Sequence, residues 1–276
     1  MIHLFPKLKN RLLLVSACYI ALVGVYVALN SGKNMILPLI LATVGLAVVI
    51  ISQLLTSFNV HSQLLSKLYD QMDVDGFLRQ YEPKLALNIK NANVALMVRM
   101  HLSNAYCAQG RFDEAKKLLQ DAEIPKGKKH EDELLSQFAV ASNLCYFAQQ
   151  QEDLPAARAY LDKLLDLKKQ LEALQQSKPE KKRMVFNTEL NEQIMTYMET
   201  GKADIEALRK LVQSNSQQLH KVTISLWIAR AYLAENNRRE GEALLEKIVK
   251  LAPQLYPGKA AAGLLGALPA KNEEKA

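Results

Sequence analysis

Two uninterrupted apolar runs open the chain, residues 12–29 (LLLVSACYIALVGVYVAL) and 35–55 (MILPLILATVGLAVVIISQLL), and neither contains an acid or a base. At a rise of ~1.5 Å per residue, each run wound as a helix spans the roughly 30 Å hydrocarbon core of a bilayer. Lipid offers no partner for open backbone groups, so both runs are predicted as transmembrane helices joined by a tight turn within residues 30–34, at Ser31-Gly32. From residue 60 onward the pattern changes. Apolar positions recur at helical spacing, as in Val74, Phe77, Leu78, Tyr81 and Leu85, and strand-like alternation is nearly absent. Polar or glycine-containing breaks at 73–76, 110–111, 125–127, 178–179, 201 and 235–237 divide this region into paired helices.

The basic residues orient the hairpin. Lys7, Lys9 and Arg11 precede the first run and Lys67 follows the second, whereas the turn carries only Lys33. The positive-inside bias therefore puts both termini in the cytoplasm. A cleaved signal peptide fits less well, because Tyr26-Val-Ala-Leu-Asn30 lacks a small-x-small cleavage site and a second run follows at once. A lipoprotein signal ending at Val15-Ser16-Ala17-Cys18 has too short an apolar stretch between Arg11 and Ser16. Small residues line one face of each run: Ala17, Ala21, Gly24 and Ala28 on the first, Ala42, Gly45 and Ser52 on the second. Such stripes let helices approach closely in lipid. They fit closure of the hairpin on itself, the reading preferred here, or a seam between two copies of the chain. With no Asp, Glu, Lys, Arg or His inside either run, a channel or proton relay is not expected there.

Internal repetition organises the rest. Leu102-Ser-Asn-Ala-Tyr106-Cys-Ala-Gln-Gly110-Arg-Phe-Asp-Glu-Ala115-Lys-Lys-Leu-Leu119 closely resembles the tetratricopeptide repeat (TPR). A second resembling copy runs through Ile228, Ala229, Tyr232, Gly241, Leu245, Ile248 and Pro253, with weaker ones around Ala148–Ala157–Leu161 and Met198–Ala207–Leu211. The small residues Ala115, Ala157, Ala207 and Gly241 are expected where paired helices cross, with Tyr106 and Tyr232 filling the space beside them. They lie about 42, 50 and 34 residues apart, against a family period of 34, which marks the array as divergent. Gly110 is expected at the turn and Pro253 at the end of the last copy. The predicted fold is all-α: a basic leader (1–11), a transmembrane hairpin (12–55), a TPR-like right-handed α-solenoid of four to five helix pairs (60–255), a capping helix (256–268) and a disordered tail (269–276). The stretch 62–87 reads as a degenerate first pair.

The resemblance implies a protein or peptide partner on a concave face lined by the first helix of each pair. It nominates Met97, Met100, Asn104, Ser142, Asn143, Tyr146 and Arg230. Asn104 and Asn143 match the asparagines of the family's carboxylate clamp, but Met100, Glu189 and Gln193 stand where the clamp has cations. Chaperone-tail capture is therefore not expected. The net charge of +7 concentrates in part at Lys126, Lys128 and Lys129 and at Lys178, Lys181, Lys182 and Arg183. These clusters read as solvated loops, as contacts to anionic lipid or as steering for an acidic partner. No aromatic–basic interleaving accompanies them, so nucleic acid is not an expected partner. Outside the hairpin only Cys107 and Cys145 occur, without CxxC or Cys/His ligand spacing, and no phosphate loop or nucleophile elbow is present. No cofactor, metal or catalytic activity is expected. The expected role is a scaffold or adaptor on the cytoplasmic face of a bacterial inner membrane. The alternatives are an accessory subunit of a transport, secretion or envelope-assembly complex, or an enzyme with a cryptic site in the array.

Overall fold

The structure, a computed structural model, describes residues 4–29, 36–126, 130–174 and 178–268. The predicted turn at 30–34, Lys128, Lys129 and the tail at 269–276 lie outside the described residues, as does the side chain of Lys178. Twelve α-helices and no strand occur among the described residues. The chain divides into two compact units, Met1–Ser66 with Ala86–Lys90 and Lys67–Leu85 with Asn91–Ala276.

The first unit is built on α1 (Pro6–Leu29) and α2 (Ile36–Tyr69). Leu12, Ser16, Tyr19 and Val23 form the partly covered stripe of α1. Tyr19 packs on Gly45 of α2, where an added Cβ would come 2.7 Å from the ring carbon bearing the hydroxyl. This seam joins a large ring to a missing side chain. It turns Ala17, Ala21, Gly24 and Ala28 outward, all four exposed, and nothing approaches the position of a Cβ on Gly24 within 4 Å. The small-residue stripe of α1 therefore does not close the hairpin. Ala42 and Gly45 are partly covered, but Ser52 is exposed and bonds its own helix at Val49 O (2.9 Å). The outward surfaces are apolar, with Leu13, Ile20 and Leu22 on α1 and Val44, Val48 and Ile51 on α2 exposed. Leu8–Leu29 and Ala42–Tyr69 are each long and apolar enough to cross a membrane. The second helix continues past the predicted end of its span at residue 55 without a break.

In the second unit, α3 (Val74–Tyr81) and a 3-10 stretch (Glu82–Ala86, its last residue in the first unit) precede four antiparallel pairs. These are α4 (Ala92–Gln109) with α5 (Phe112–Gln120), α6 (His130–Gln150) with α7 (Leu154–Glu172), α8 (Lys178–Thr200) with α9 (Ile205–Ser214), and α10 (Gln218–Ala234) with α11 (Arg238–Leu251). Each helix packs on the next, and α4 on α6 and α6 on α8 stack the first helices of successive pairs. The array is thus all-helical and solenoid-like.

One device makes every intra-pair turn. A residue one or two positions after the first helix takes a left-handed conformation: Gly110 (φ 83°), Glu152 (φ 58°), Gly201 (φ 70°) and Asn236 (φ 60°). At three of the four, the following amide reaches back to close the helix, as Arg111 N to Tyr106 O (2.9 Å), Asp153 N to Ala148 O (3.0 Å) and Asn237 N to Tyr232 O (2.8 Å). Asp153 and Asp204 then cap α7 and α9, accepting from Ala156 N (3.1 Å) and Ala207 N (2.9 Å).

Ala115 and Ala157 are fully buried. Gly241 is buried too, and a Cβ there would meet Leu233 Cδ2 at 2.8 Å. Ala207 is only half-buried, and its neighbour Leu208 fills the α9–α10 core with Leu211, Ile224 and Ile228. One core joins α6, α7 and α8 through Phe138, Cys145, Leu161, Leu164 and Met195. Pro253 is exposed beyond the end of α11.

The last helix, α12 (Tyr256–Ala267), packs on α11 and α10 and also returns to α4. Tyr256 donates its hydroxyl to Gln150 O (3.0 Å), and its ring meets Phe112 edge-on with centroids 4.7 Å apart. The end of the array is thereby brought against its first clear repeat. Gly258 permits the approach, because a Cβ there would lie 2.7 Å from the Ala252 carbonyl carbon and closer still to its oxygen.

Candidate functional site

The inner faces of the first helices enclose a cavity of about 990 Å³. Asn104, Cys107 and Ala108 of α4 and Ser142, Asn143, Tyr146, Phe147 and Gln150 of α6 form one side. The other side comes from α8 between Lys181 and Asn191, the turn at 214–217, and Leu219, His220, Thr223 and Ile224 of α10. Tyr256 and Pro257 of α12 complete it.

Its polar groups form a network. Asn191 Nδ2 donates to Asn187 O (2.7 Å) and Ser142 Oγ (3.3 Å), while Gln149 Nε2 donates to Asn191 O (2.9 Å). Asn143 Nδ2 donates to Ala139 O (3.0 Å) and Asn104 Nδ2 to Tyr69 Oη (3.0 Å). The network is incomplete. Asn191 Oδ1 and both amide atoms of Gln150 are buried without a partner, although each residue is only 2% exposed. Buried amides are ordinarily paired, and an unpaired polar atom costs about 1–3 kcal/mol.

Burial also sets the electrostatics. It drives the Tyr146 phenol well above its usual range, and burial likewise raises Tyr256 and the Cys107 thiol. Desolvation pushes His220 down to about 4, so its imidazole is neutral near pH 7. Its Nδ1 faces Asn215 Nδ2 at 3.4 Å, and its ring sits edge-on to Tyr69 with centroids 5.4 Å apart. None of these groups is poised for proton transfer near neutrality. Among the described residues, no three His, Cys, Asp or Glu side chains gather into a metal-binding group.

Of the residues nominated from sequence, Asn104, Ser142, Asn143 and Tyr146 meet in the cavity wall. Met97 and Met100 lie half-buried elsewhere on α4. Arg230 lies outside the lining. Its guanidinium stacks on Trp227 (4.5 Å to the ring centroid) and pairs with Glu152 (3.2 Å), tying α10 to the α6–α7 turn. The packing tyrosines carry polar work as well. Tyr106 donates to Glu82 Oε1 (2.8 Å) beneath the Arg111 guanidinium, and Tyr232 accepts from Arg209. Gln150, Asn191, His220, Thr223 and Tyr256 are cavity residues that the repeat pattern did not single out. The periodicity marks which helix faces inward but not where the array curls back, so Tyr256 carried no signal.

A tetratricopeptide repeat family model matches residues 96–122, which cover most of α4 and all of α5. No curated protein and no solved structure matches the chain. Fold and repeat together define the class: an all-helical protein with a tetratricopeptide-like repeat, of the kind that mediates protein–protein interaction.

Proposed function

We propose that this protein is a membrane-anchored scaffold whose repeat array receives a protein or peptide partner on the cytoplasmic face of a bacterial inner membrane. In this reading residues 12–55 cross the bilayer after a cytoplasmic leader (1–11). The region 60–255 is the docking domain and 256–268 its cap. The observation that carries the proposal is the cavity wall: four inward faces converge on Gln150, whose amide atoms both lack a partner within the chain, and on Asn191, whose Oδ1 lacks one. Two exposed apolar helices support the anchor. Anchoring confines the docking surface to a thin layer, which raises its effective concentration toward other membrane components.

Site-specific photo-crosslinking in intact cells tests the reading. A crosslinker at Asn143, in the wall, captures a defined partner, whereas one at Lys163 on the exposed side of α7 does not. Capture only from Lys163, or protease cleavage of the array from outside intact cells, refutes it. The outward stripe of Ala17, Ala21, Gly24 and Ala28 favours a second reading, in which α1 itself packs in the bilayer against a copy of the chain or the subunits of a larger complex. Crosslinks from Gly24 would then report the neighbour.

A further inference from the structure

The geometry points to an acidic peptide segment as the cavity's occupant, its carboxylates at the first two turns of α8 and its main chain on Gln150. This rests on the docking role proposed above and names the chemistry of the partner.

Lys181, Lys182 and Arg183 are all exposed and border the cavity, which Glu189 alone among its lining residues opposes with a carboxylate. The cations stand at the start of α8, and the starts of α10 and α12 border the same space. Neither α10 nor α12 has a side-chain cap, so the open first-turn amides of α10, together with those of Tyr256 and Gly258 in α12, add positive partial charge; Pro257 has no N–H and Asn215 Oδ1 takes up only the Gln217 amide. These cations are not at the family clamp positions, where Met100, Glu189 and Gln193 stand.

Deeper in, Gln150 offers two N–H donors and a carbonyl, none of them satisfied within the protein. A peptide unit carries one N–H and one C=O and complements such a carboxamide when the side chain, closed off from solvent here, turns into the cavity. Asn191 Oδ1 supplies a further acceptor, with its own NH₂ already committed to Asn187 and Ser142. Water satisfies a carboxamide as well, but water does not explain three converging sources of positive charge. The volume lies at the upper end of the ~300–1,000 Å³ usual for ligand clefts, room for a short segment and not for a folded domain.

The test uses full-length protein in detergent and two fluorescein-labelled decapeptides, one alternating Glu and Ala, the other Gln and Ala, followed by fluorescence anisotropy. The acidic probe binds at least about tenfold tighter at low salt, and the difference collapses in ~0.5 M salt. The surface variant K181Q/K182Q/R183Q removes the preference, while the control K163Q/K169Q on α7 retains it. Gln150→Leu weakens both probes by a similar factor, because it removes a main-chain partner and no charge. Equal binding of the two probes, no binding of either, or loss in the control equal to that in the triple variant overturns the proposal. So does phosphatidylglycerol vesicle binding that depends on Lys181–Arg183 while the peptides do not bind. Successful crosslinking from Asn143 alongside any of these failures leaves the docking role standing and removes only the acidic occupant.

Discussion

Replacing Gly258 by alanine puts one methyl group into the junction that returns α12 to the array. The new Cβ would sit 2.7 Å from the Ala252 carbonyl carbon and 3.2 Å from Pro253 Cα. Ordinary carbon–carbon contact is ~3.5–4.0 Å, so the backbone of one segment must move. Overpacking of this kind costs about 1–3 kcal/mol. The alternative is release of α12, which uncovers Leu255, Tyr256, Pro257 and Ala261. Re-exposing a single leucine costs about 1.5–3 kcal/mol, so release offers no cheaper escape. Alanine's helix preference over glycine returns at most ~1 kcal/mol. For a domain of this size about 1–2 kcal/mol of net loss lowers Tm by roughly 2–8 °C.

Gly241→Ala is the matched control. There the near atom, Leu233 Cδ2 at 2.8 Å, ends a half-buried side chain that rotates away, and helix preference offsets the adjustment. Circular dichroism melts measure both variants, with Trp227, the sole tryptophan, as a fluorescent reporter buried in α10. Equal Tm for Gly258→Ala and wild type, with a drop for Gly241→Ala, refutes the packing argument.

Ala157→Leu, at a fully buried crossing, is expected to lose about 1–3 kcal/mol in urea denaturation, while Ala207→Leu, half-buried, stays within ~0.5 kcal/mol. Gly201→Ala, with open space around it but φ at 70°, isolates backbone strain and loses about 1–2 kcal/mol. His220 is held at about 4 in the folded protein against 6.5 for the free side chain, so the unfolded chain binds its proton first. Its contribution to stability is therefore intact above pH ~6.5 and falls as pH drops toward ~4. His220→Gln flattens that part of a pH–stability profile, and an unchanged slope contradicts the assignment.

Helical pairing, the turn at Gly110 and the buried Ala115 and Ala157 were legible because each obeys a local rule: a 3.6-residue period, a left-handed cap, a crossing that admits no larger side chain. Asn104, Ser142, Asn143 and Tyr146 were legible because stacking places first helices inward. Arg230 lies outside the lining, its side chain held by a local partner, Glu152, that only the left-handed turn brings near. Ala207 is only half-buried, since α9 presents Leu208 to its partner. The α1 stripe misled because small residues permit close packing without requiring it, and the Tyr19–Gly45 fit set the seam instead. Gln150 and Asn191 lay beyond reach, because an unsatisfied amide is a property of surroundings that no spacing encodes.

An open stack of repeats behaves as a row of dominoes: units can be added, removed or melted from an end, each answering only to its neighbour. Tyr256 bonded to Gln150, across a sequence separation of 106 residues, converts that row into a loop with a clasp. Fraying from the carboxy-terminal end must first break contacts belonging to the opposite end. The array should accordingly melt as one cooperative block, and tandem duplication of an internal pair should spring the clasp rather than lengthen the stack.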